Sequence, residues 1–212
     1  TVDAEWAPLL KLGAAGAVLV VVMIPVQAAV FLLSPPPTTV AEYFALFQRN
    51  PLLGLLDLDL LLTLDYLAMI PFYLALFVIV RRLAPAWALL ALVTGLFSLL
   101  LYLVSREATF SMWLLSSQYA AATDAAQRAA LTAAGQTLLT LYNGGTFAIS
   151  YLLGAASTLL YSAVMFRRRV FGRLPGLVGL ITGVTMLVPA NVGPIGVTIA
   201  LLSLIPTAVW LV

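Results

Sequence analysis

The sequence contains no cysteine and no histidine, and its one lysine is Lys11. Without cysteine the chain has neither disulfides nor thiolates, and nothing in it indicates a redox compartment. Without histidine it lacks imidazole general bases, the ligand of His-bound haem and the usual ligands of intramembrane zinc. Lys11 stands at the start of an apolar run, which excludes a Schiff base buried deep in a membrane. We therefore expect no metal and no cofactor, and we predict no catalytic residue.

Charge is also scarce. Charged residues make up 8% of the 212 residues, hydrophobic residues make up 63%, and the mean hydropathy is +1.11. About a quarter of the residues are charged in an ordinary soluble domain, so the chain is predicted to be an integral membrane protein. The net charge of +2 comes from arginines at the ends of apolar runs, where they orient helices. We expect membrane lipids as partners and no nucleic acid.

Six apolar runs of roughly the length that a bilayer requires predict six transmembrane helices. They cover residues 12–33, 60–80, 86–104, 146–166, 174–188 and 195–212. The fold class is therefore all-α, a six-helix transmembrane bundle forming a single domain over 1–212. The first run is too long for the core of a signal peptide and follows an acidic segment, so we expect it to remain as a helix. Because the chain begins at Thr1 and its last run has no polar flank, we expect the natural chain to continue into a basic cytoplasmic tail.

Basic residues predict the orientation of the bundle. With both termini in the cytoplasm, seven basic residues lie inside and three lie outside. The inner set is Lys11, Arg81, Arg82, Arg167, Arg168, Arg169 and Arg173, and the outer set is Arg49, Arg106 and Arg128. The sequence therefore predicts that both termini are cytoplasmic.

Two long outer segments carry helix signals. In the first, residues 39–48, Thr39 and Glu42 have the spacing of a capping box, and apolar residues recur with helical period from Val40 to Phe47. This pattern predicts an amphipathic helix lying on the outer membrane face. In the second, residues 106–142, Asp124 and Gln127 form a similar start signal, and the segment is predicted to form helices that cap the bundle.

Three aspartates stand inside or next to the second run. Asp57 and Asp59 fall near the membrane surface, where acids in a first helical turn cap free N–H groups. Asp65 is different, because a rise of 1.5 Å per residue from Arg81 places it about 24 Å from the inner boundary, within the hydrocarbon layer. A charge there requires a partner. The same rise per residue, counted from the start of the third run, places Arg106 near that level. The sequence therefore predicts an ion pair between Asp65 and Arg106.

This pair has two interpretations. In one, the pair is structural and locks two neighbouring helices together. In the other, an outward-facing polar pocket binds a lipid headgroup, a small amphiphile or a coupled proton. The residues expected to line that pocket are Asp65, Arg106, Glu107, Tyr66 and Tyr142.

Small residues predict close helix packing. Ser150, Gly154, Thr158 and Ser162 recur every four residues in the fourth run, and Gly179 and Gly183 do so in the fifth. Such small-xxx-small stripes let helix backbones approach closely in membranes. We interpret them as packing surfaces.

The signals for an enzyme are weak. Asp59 and Asp65 are six residues apart, which separates them by roughly 240° around one helix, so they do not form the facing pair of an aspartyl protease. No predicted span besides the second carries an aspartate, and no glycine-rich loop cradles phosphate. The sequence therefore favours a protein that is not an enzyme.

The stretches "LDLDLLLTLDYLAMIPFYLALFVIVRR", "SSQYAAATDAAQRAAL" and "RLPGLVGLITGV" resemble a family of bacterial six-helix membrane proteins that is catalogued as a domain of unknown function. The resemblance covers nearly the whole chain. It implies a multi-pass protein of the bacterial inner membrane, and it implies no activity and no site residues.

Two hypotheses of function follow. The first is a non-enzymatic membrane protein that binds or transports a small amphiphile or lipid through the polar pocket. The second is a structural or regulatory membrane subunit whose charges hold the bundle together and which has no ligand. A membrane enzyme of unknown class is the third.

Overall fold

A computed structural model describes residues 4–211 of the chain. The start of the acidic segment and Val212, where the sixth predicted run ends, lie outside the described residues. Within 4–211 the regular secondary structure is helical throughout. The helices are a short 3-10 helix (Ala4–Trp6), α1 (Ala7–Leu33), α2 (Val40–Arg49), α3 (Pro51–Asp57), α4 (Leu60–Val80), α5 (Pro85–Ser105), α6 (Glu107–Ala121), α7 (Ala125–Tyr142), α8 (Gly145–Arg168), α9 (Leu174–Thr185) and α10 (Gly193–Leu211).

Five helical stretches in the described part of the chain are long and apolar enough to cross a membrane. They are Ala4–Leu33, Leu60–Val80, Pro85–Ala121, Ala125–Arg168 and Gly193–Leu211. The remaining predicted run forms α9, whose 12 residues rise about 18 Å, less than the roughly 30 Å of a hydrocarbon core. The chain is an all-α, multi-pass membrane protein in which α9 is a short member of the bundle.

The spans pack as antiparallel neighbours. Helix α1 packs on α4, α5 on α8, α8 on α9, and α9 on α10. Gly16 of α1 lies so close to the carbonyl oxygen of Ala68 in α4 that a Cβ at Gly16 would collide with it. The predicted small-residue stripes are confirmed, since their members in α8 and α9 are buried. Close backbone contact through small residues therefore holds this bundle together.

The bundle has two different ends. Helices α1, α5 and α9 begin at one end, and α4, α8 and α10 finish there. We call it the basic end, because Lys11 and the arginines at 81–82 and 167–173 lie there. The opposite end carries α2, α3, α6 and α7, and we call it the capped end. Helix α6 follows α5 after the single residue Arg106 and packs against α2 and α7, so it belongs to the capped end.

An apolar cluster separate from the contacts between the spans holds the capped end together. Val40, Tyr43, Phe44 and Phe47 of α2 are buried there with Met112 of α6. The prediction that the apolar face of α2 lies on the membrane is therefore wrong. Helix α2 packs against α6 and α7. These two helices therefore cover its apolar face.

The predicted helix starts at the capped end are confirmed. Thr39 accepts a hydrogen bond from the Glu42 amide, and the Glu42 side chain accepts one from the Thr39 amide, which completes the capping box. Asp124 caps α7 by accepting a hydrogen bond from the Gln127 amide.

Candidate functional site

Arg106 lies between α5 and α6 and is almost completely buried, with 5% of its surface exposed. Its Nε is 3.3 Å from Asp59 Oδ2, and its NH1 donates a 3.2 Å hydrogen bond to the carbonyl oxygen of Tyr142. Its guanidinium carbon also lies 4.4, 3.9 and 4.7 Å from the ring centres of Tyr102, Tyr142 and Phe147. Aromatic faces stabilise a desolvated cation, so Arg106 is enclosed on several sides.

Asp59 completes this arrangement. Its carboxylate accepts a 2.5 Å hydrogen bond from the Tyr142 hydroxyl and a 3.4 Å hydrogen bond from the Tyr102 hydroxyl. Its backbone has φ of 62°, a left-handed conformation that aspartate tolerates better than most residues. Burial raises the pKa of Asp59, whereas Arg106 and the two phenol hydroxyls act in the opposite direction. We call Asp59, Tyr102, Arg106, Tyr142 and Phe147 the arginine cluster.

The predicted ion pair between Asp65 and Arg106 is wrong, because Arg106 pairs with Asp59. The helical rise explains the difference. Arg106 lies about 30 Å from the start of α5, and Asp65 lies about 24 Å from the end of α4, so Asp65 is more than a turn too deep. The left-handed residue before α4 then turns the carboxylate of Asp59 into the matching position.

The prediction that Asp57 and Asp59 cap a helix start is also wrong. Asp57 is the last residue of α3. Asp59 is in the N-cap position of α4, but its side chain makes no capping hydrogen bond there. The start of α3, six residues before Asp57, is capped instead by Asn50, which accepts a hydrogen bond from the Leu53 amide. The prediction fails because the helix breaks between α3 and α4, and the sequence contains no helix-stop signal at this point.

The structure brings some of the five predicted pocket residues together. Arg106 and Tyr142 are in contact, and Tyr66 stacks on Tyr102 with ring centres 3.5 Å apart. Asp65 lies deeper in α4, where it is buried and its Oδ1 has no hydrogen-bond partner among the described residues. Glu107 is exposed and accepts a hydrogen bond from Ser111. That these five residues bind a ligand stays a prediction.

A separate polar cleft opens at the capped end, and the sequence analysis did not find it. Its volume is about 430 Å³, and the turn Pro35–Pro37 after α1 forms one wall. Ser34, Glu42, Arg49 and Asp57 contribute its polar and charged side chains. The proline run and the capping box on either side were the available signals, but neither says that a cleft forms between them.

Asp57 is the unusual group in this polar cleft. Its side chain is buried, with 2% of the residue exposed, and its Oδ1 has no hydrogen-bond partner within residues 4–211. Its Oδ2 accepts a long hydrogen bond of 3.5 Å from Ser34. Burial raises the pKa of Asp57 to about 6. A carboxylate at the C-terminus of a helix is also disfavoured by the helix dipole, so this position is costly for an acid.

The carboxylate of Glu42 already takes part in the capping box of α2. Its carboxylate accepts hydrogen bonds of 3.0 Å from the amides of both Thr38 and Thr39. These bonds lower the pKa of Glu42. All of these bonds go to Glu42 Oε2, and Glu42 is exposed. Asp57 is therefore the carboxylate in the cleft whose unused acceptor atom is buried. Among residues 4–211, no group of three or more His, Cys, Asp or Glu side chains is placed to hold a metal ion.

The fold and these two polar regions define a multi-pass helical membrane protein with a structured cap at one end of its bundle. The chain belongs to the family described as Domain of unknown function (DUF4386), which matches residues 14–212. The resemblance found in the sequence is confirmed by that match. No curated protein and no solved structure matches the chain.

Proposed function

We propose that this protein is a non-enzymatic protein of a bacterial inner membrane that binds the polar head of a zwitterionic amphiphile in the cleft at its capped end. Both termini lie in the cytoplasm in this proposal, and the capped end faces outward. The bias of seven basic residues to three supports that orientation. The cleft would then take its ligand from the outer leaflet or from the space outside it.

The buried carboxylate of Asp57 carries the proposal. A buried acid without a full set of hydrogen bonds destabilises the fold unless something compensates it. The ammonium group of an amphiphile supplies both the opposite charge and the missing donors. Arg49 lines the same cleft and is exposed, so it is available to the phosphate or carboxylate of the same headgroup.

The arginine cluster has a supporting role in this proposal. Arg106 and Asp59 already neutralise each other, and their side chains are 3% and 11% exposed. A ligand that entered there would have to break the ion pair, which is costly in a buried site. The cluster therefore holds the cap on the spans, while the cleft remains open.

The burial of this ion pair favours the second candidate, a structural or regulatory subunit without a ligand. A dry ion pair surrounded by aromatic rings fixes the register of helices without doing chemistry. In that case the charges of the capped end serve assembly alone, and the cleft is a surface feature between α1, α2 and α3.

Binding of a short-chain phosphatidylethanolamine to the purified protein in detergent, followed by native mass spectrometry, separates the two candidates. We expect the parent to bind it, and we expect Asp57→Asn and Arg49→Gln each to raise the Kd by about tenfold, which corresponds to roughly 1.4 kcal/mol. Glu107→Gln is the matched control, because Glu107 is an exposed acid at the same end and outside the cleft. Equal binding by all four proteins, or no binding by the parent, favours the subunit without a ligand.

A further inference from the structure

An apolar crevice lies at the basic end, away from the polar cleft. Its volume is about 460 Å³, and residues of α1, α4, α8, α9 and α10 line it together with Phe171 of the α8–α9 connection. Its apolar walls include Ala14, Ala17, Phe72, Leu76, Met165 and Val209. This chemistry suits a hydrocarbon chain and gives no binding site to a polar molecule.

The mouth of the crevice is marked by a strained residue. Phe171 lines the crevice, is 63% exposed and has φ of 59°. A bulky residue in this left-handed region is a genuine outlier, and such strain persists where the surrounding structure requires it. The strained backbone holds an aromatic ring at the entrance, at the end of the bundle where the basic residues lie.

Two exposed cations stand within two residues of side chains that line the crevice. Lys11 follows the lining residue Leu10, and Arg173 lies between the lining residues Phe171 and Pro175. Both side chains are exposed. A phosphate at the mouth of the crevice therefore has two cations near it, one from α1 and one from the start of α9.

Trp210 adds a buried donor. Its ring lines the crevice and stacks edge-on against Phe72, with ring centres 5.5 Å apart. The residue is 7% exposed, and its Nε1 has no hydrogen-bond partner in the part of the chain that the structure describes. A buried indole N–H normally has an acceptor. In Trp210 the Nε1 atom is fully buried and faces Gly179 of α9 and Ser162 of α8, so the indole ring closes the inner wall of the crevice.

We propose that the crevice is a binding site for an anionic phospholipid. One acyl chain fills the apolar walls, with the ring of Trp210 forming part of the inner wall, and the phosphate contacts Lys11 and Arg173. The site is independent of the polar cleft, since the two share no residue and lie at opposite ends of the bundle. An anionic lipid at this end also suits the charge of the flanking residues.

Native mass spectrometry of the full chain with added phosphatidylglycerol tests the site, and phosphatidylcholine, which carries no net charge, serves as the comparison. Both lipids are measured in the Asp57→Asn background, which disables the polar cleft. A cation near the membrane surface contributes about 1 kcal/mol, so Lys11→Gln and Arg173→Gln are each expected to weaken phosphatidylglycerol binding about fivefold, and the double variant about 30-fold. Lys11→Arg combined with Arg173→Lys should retain binding. Arg128→Gln, which removes an exposed cation at the opposite end and outside both sites, should bind as the parent does.

A second variant tests the crevice itself. Ala14 is exposed to the crevice side of α1 and lines it, so Ala14→Phe should fill the space, displace the chain and leave the helix intact. We expect it to abolish tight phosphatidylglycerol binding without changing the far-ultraviolet circular dichroism. If Ala14→Phe and the double charge variant both bind phosphatidylglycerol as the parent does, the proposal is wrong. It is also wrong if phosphatidylcholine binds equally well.

Discussion

The hydroxyl group of Tyr142 donates a 2.5 Å hydrogen bond to the carboxylate of Asp59, 83 residues away in the sequence. Arg106 pairs with the same carboxylate oxygen at 3.3 Å. These contacts join the start of α4, the junction of α5 and α6, and the end of α7. One carboxylate thus links three separate segments of the chain where the cap meets the spans.

Breaking this connection should destabilise the protein. Removing one partner of a buried pair leaves the other charge uncompensated, so Asp59→Asn and Arg106→Gln should each lower the free energy of unfolding by about 3–5 kcal/mol. The double variant should recover part of the loss. Thermal melts in detergent measure these changes, and losses that simply add would show that the two residues do not interact.

Asp65→Asn should behave differently from Asp59→Asn, although both change a buried aspartate on neighbouring turns of the chain. Asp65 has no ion pair in the described residues, and its Oδ1 is without a partner. The substitution therefore removes no favourable contact, and we expect the free energy of unfolding to change by less than about 1 kcal/mol. A loss as large as that of Asp59→Asn in the same melting assay would mean that Asp65 has a partner after all.

The stability should depend on pH through Asp57. Its pKa is about 6 in the folded protein and about 3.9 in an unfolded chain, so between these values the folded form binds more protons. Linkage then requires that stability rises as the pH falls from 7 toward 4, and that this gain is lost as the pH rises through 6.

Asp57→Asn isolates that contribution, because asparagine does not titrate. The melting temperature of the parent should rise more between pH 7 and pH 5 than that of the variant. Identical pH profiles would show that Asp57 is not buried in an unfavourable environment.

The packing of α1 on α4 leaves no room for a side chain at Gly16. A Cβ there would collide with the carbonyl oxygen of Ala68, and backbone does not move aside cheaply. We expect Gly16→Ala to destabilise the protein by about 1–3 kcal/mol. Gly145→Ala is the same change at a position with no atom within 4 Å of the new Cβ, and it should leave stability unchanged or raise it by up to about 1 kcal/mol. Equal effects of the two substitutions on the melting temperature would contradict this account.

The proposed orientation can be tested on this cysteine-free background. Arg168→Cys and Asp124→Cys place single thiols at exposed positions of the basic end and the capped end. A membrane-impermeant maleimide should label the thiol at 124 in intact cells and the thiol at 168 only after the membrane is opened. The reverse labelling pattern would invert the orientation and place the cleft in the cytoplasm.

Much of the fold was predictable from local patterns. Apolar run length predicted the spans, the Thr39 and Glu42 spacing predicted the start of α2, and small residues predicted the packing of α8 with its neighbours. These signals work because they depend on a few residues of one helix. The apolar face of α2 was recognised for the same reason, although periodicity does not distinguish a face that meets lipid from one that meets α6.

The candidate site was less predictable, because it depends on the relative positions of separate elements. Counting helical rise places Arg106 only about 6 Å, or one turn, from the level of Asp65, whereas Asp59 is about 9 Å of rise from Asp65, so the count alone does not choose between the two partners. The left-handed conformation of Asp59 carries no sequence signal stronger than the tolerance of aspartate for it. The cleft around Asp57 depends on a proline turn and two helix ends, and no single periodic pattern describes it.

The carboxylate of Asp59 also joins segments that a growing chain completes at different times. Asp59 leaves the ribosome long before Arg106, and Arg106 long before Tyr142. During synthesis the acid must remain in contact with water or carry a proton until both partners have emerged. Closure of the cap is consequently a late step of biogenesis, and a nascent chain arrested before α7 is complete would expose the unfinished end of the bundle to quality control.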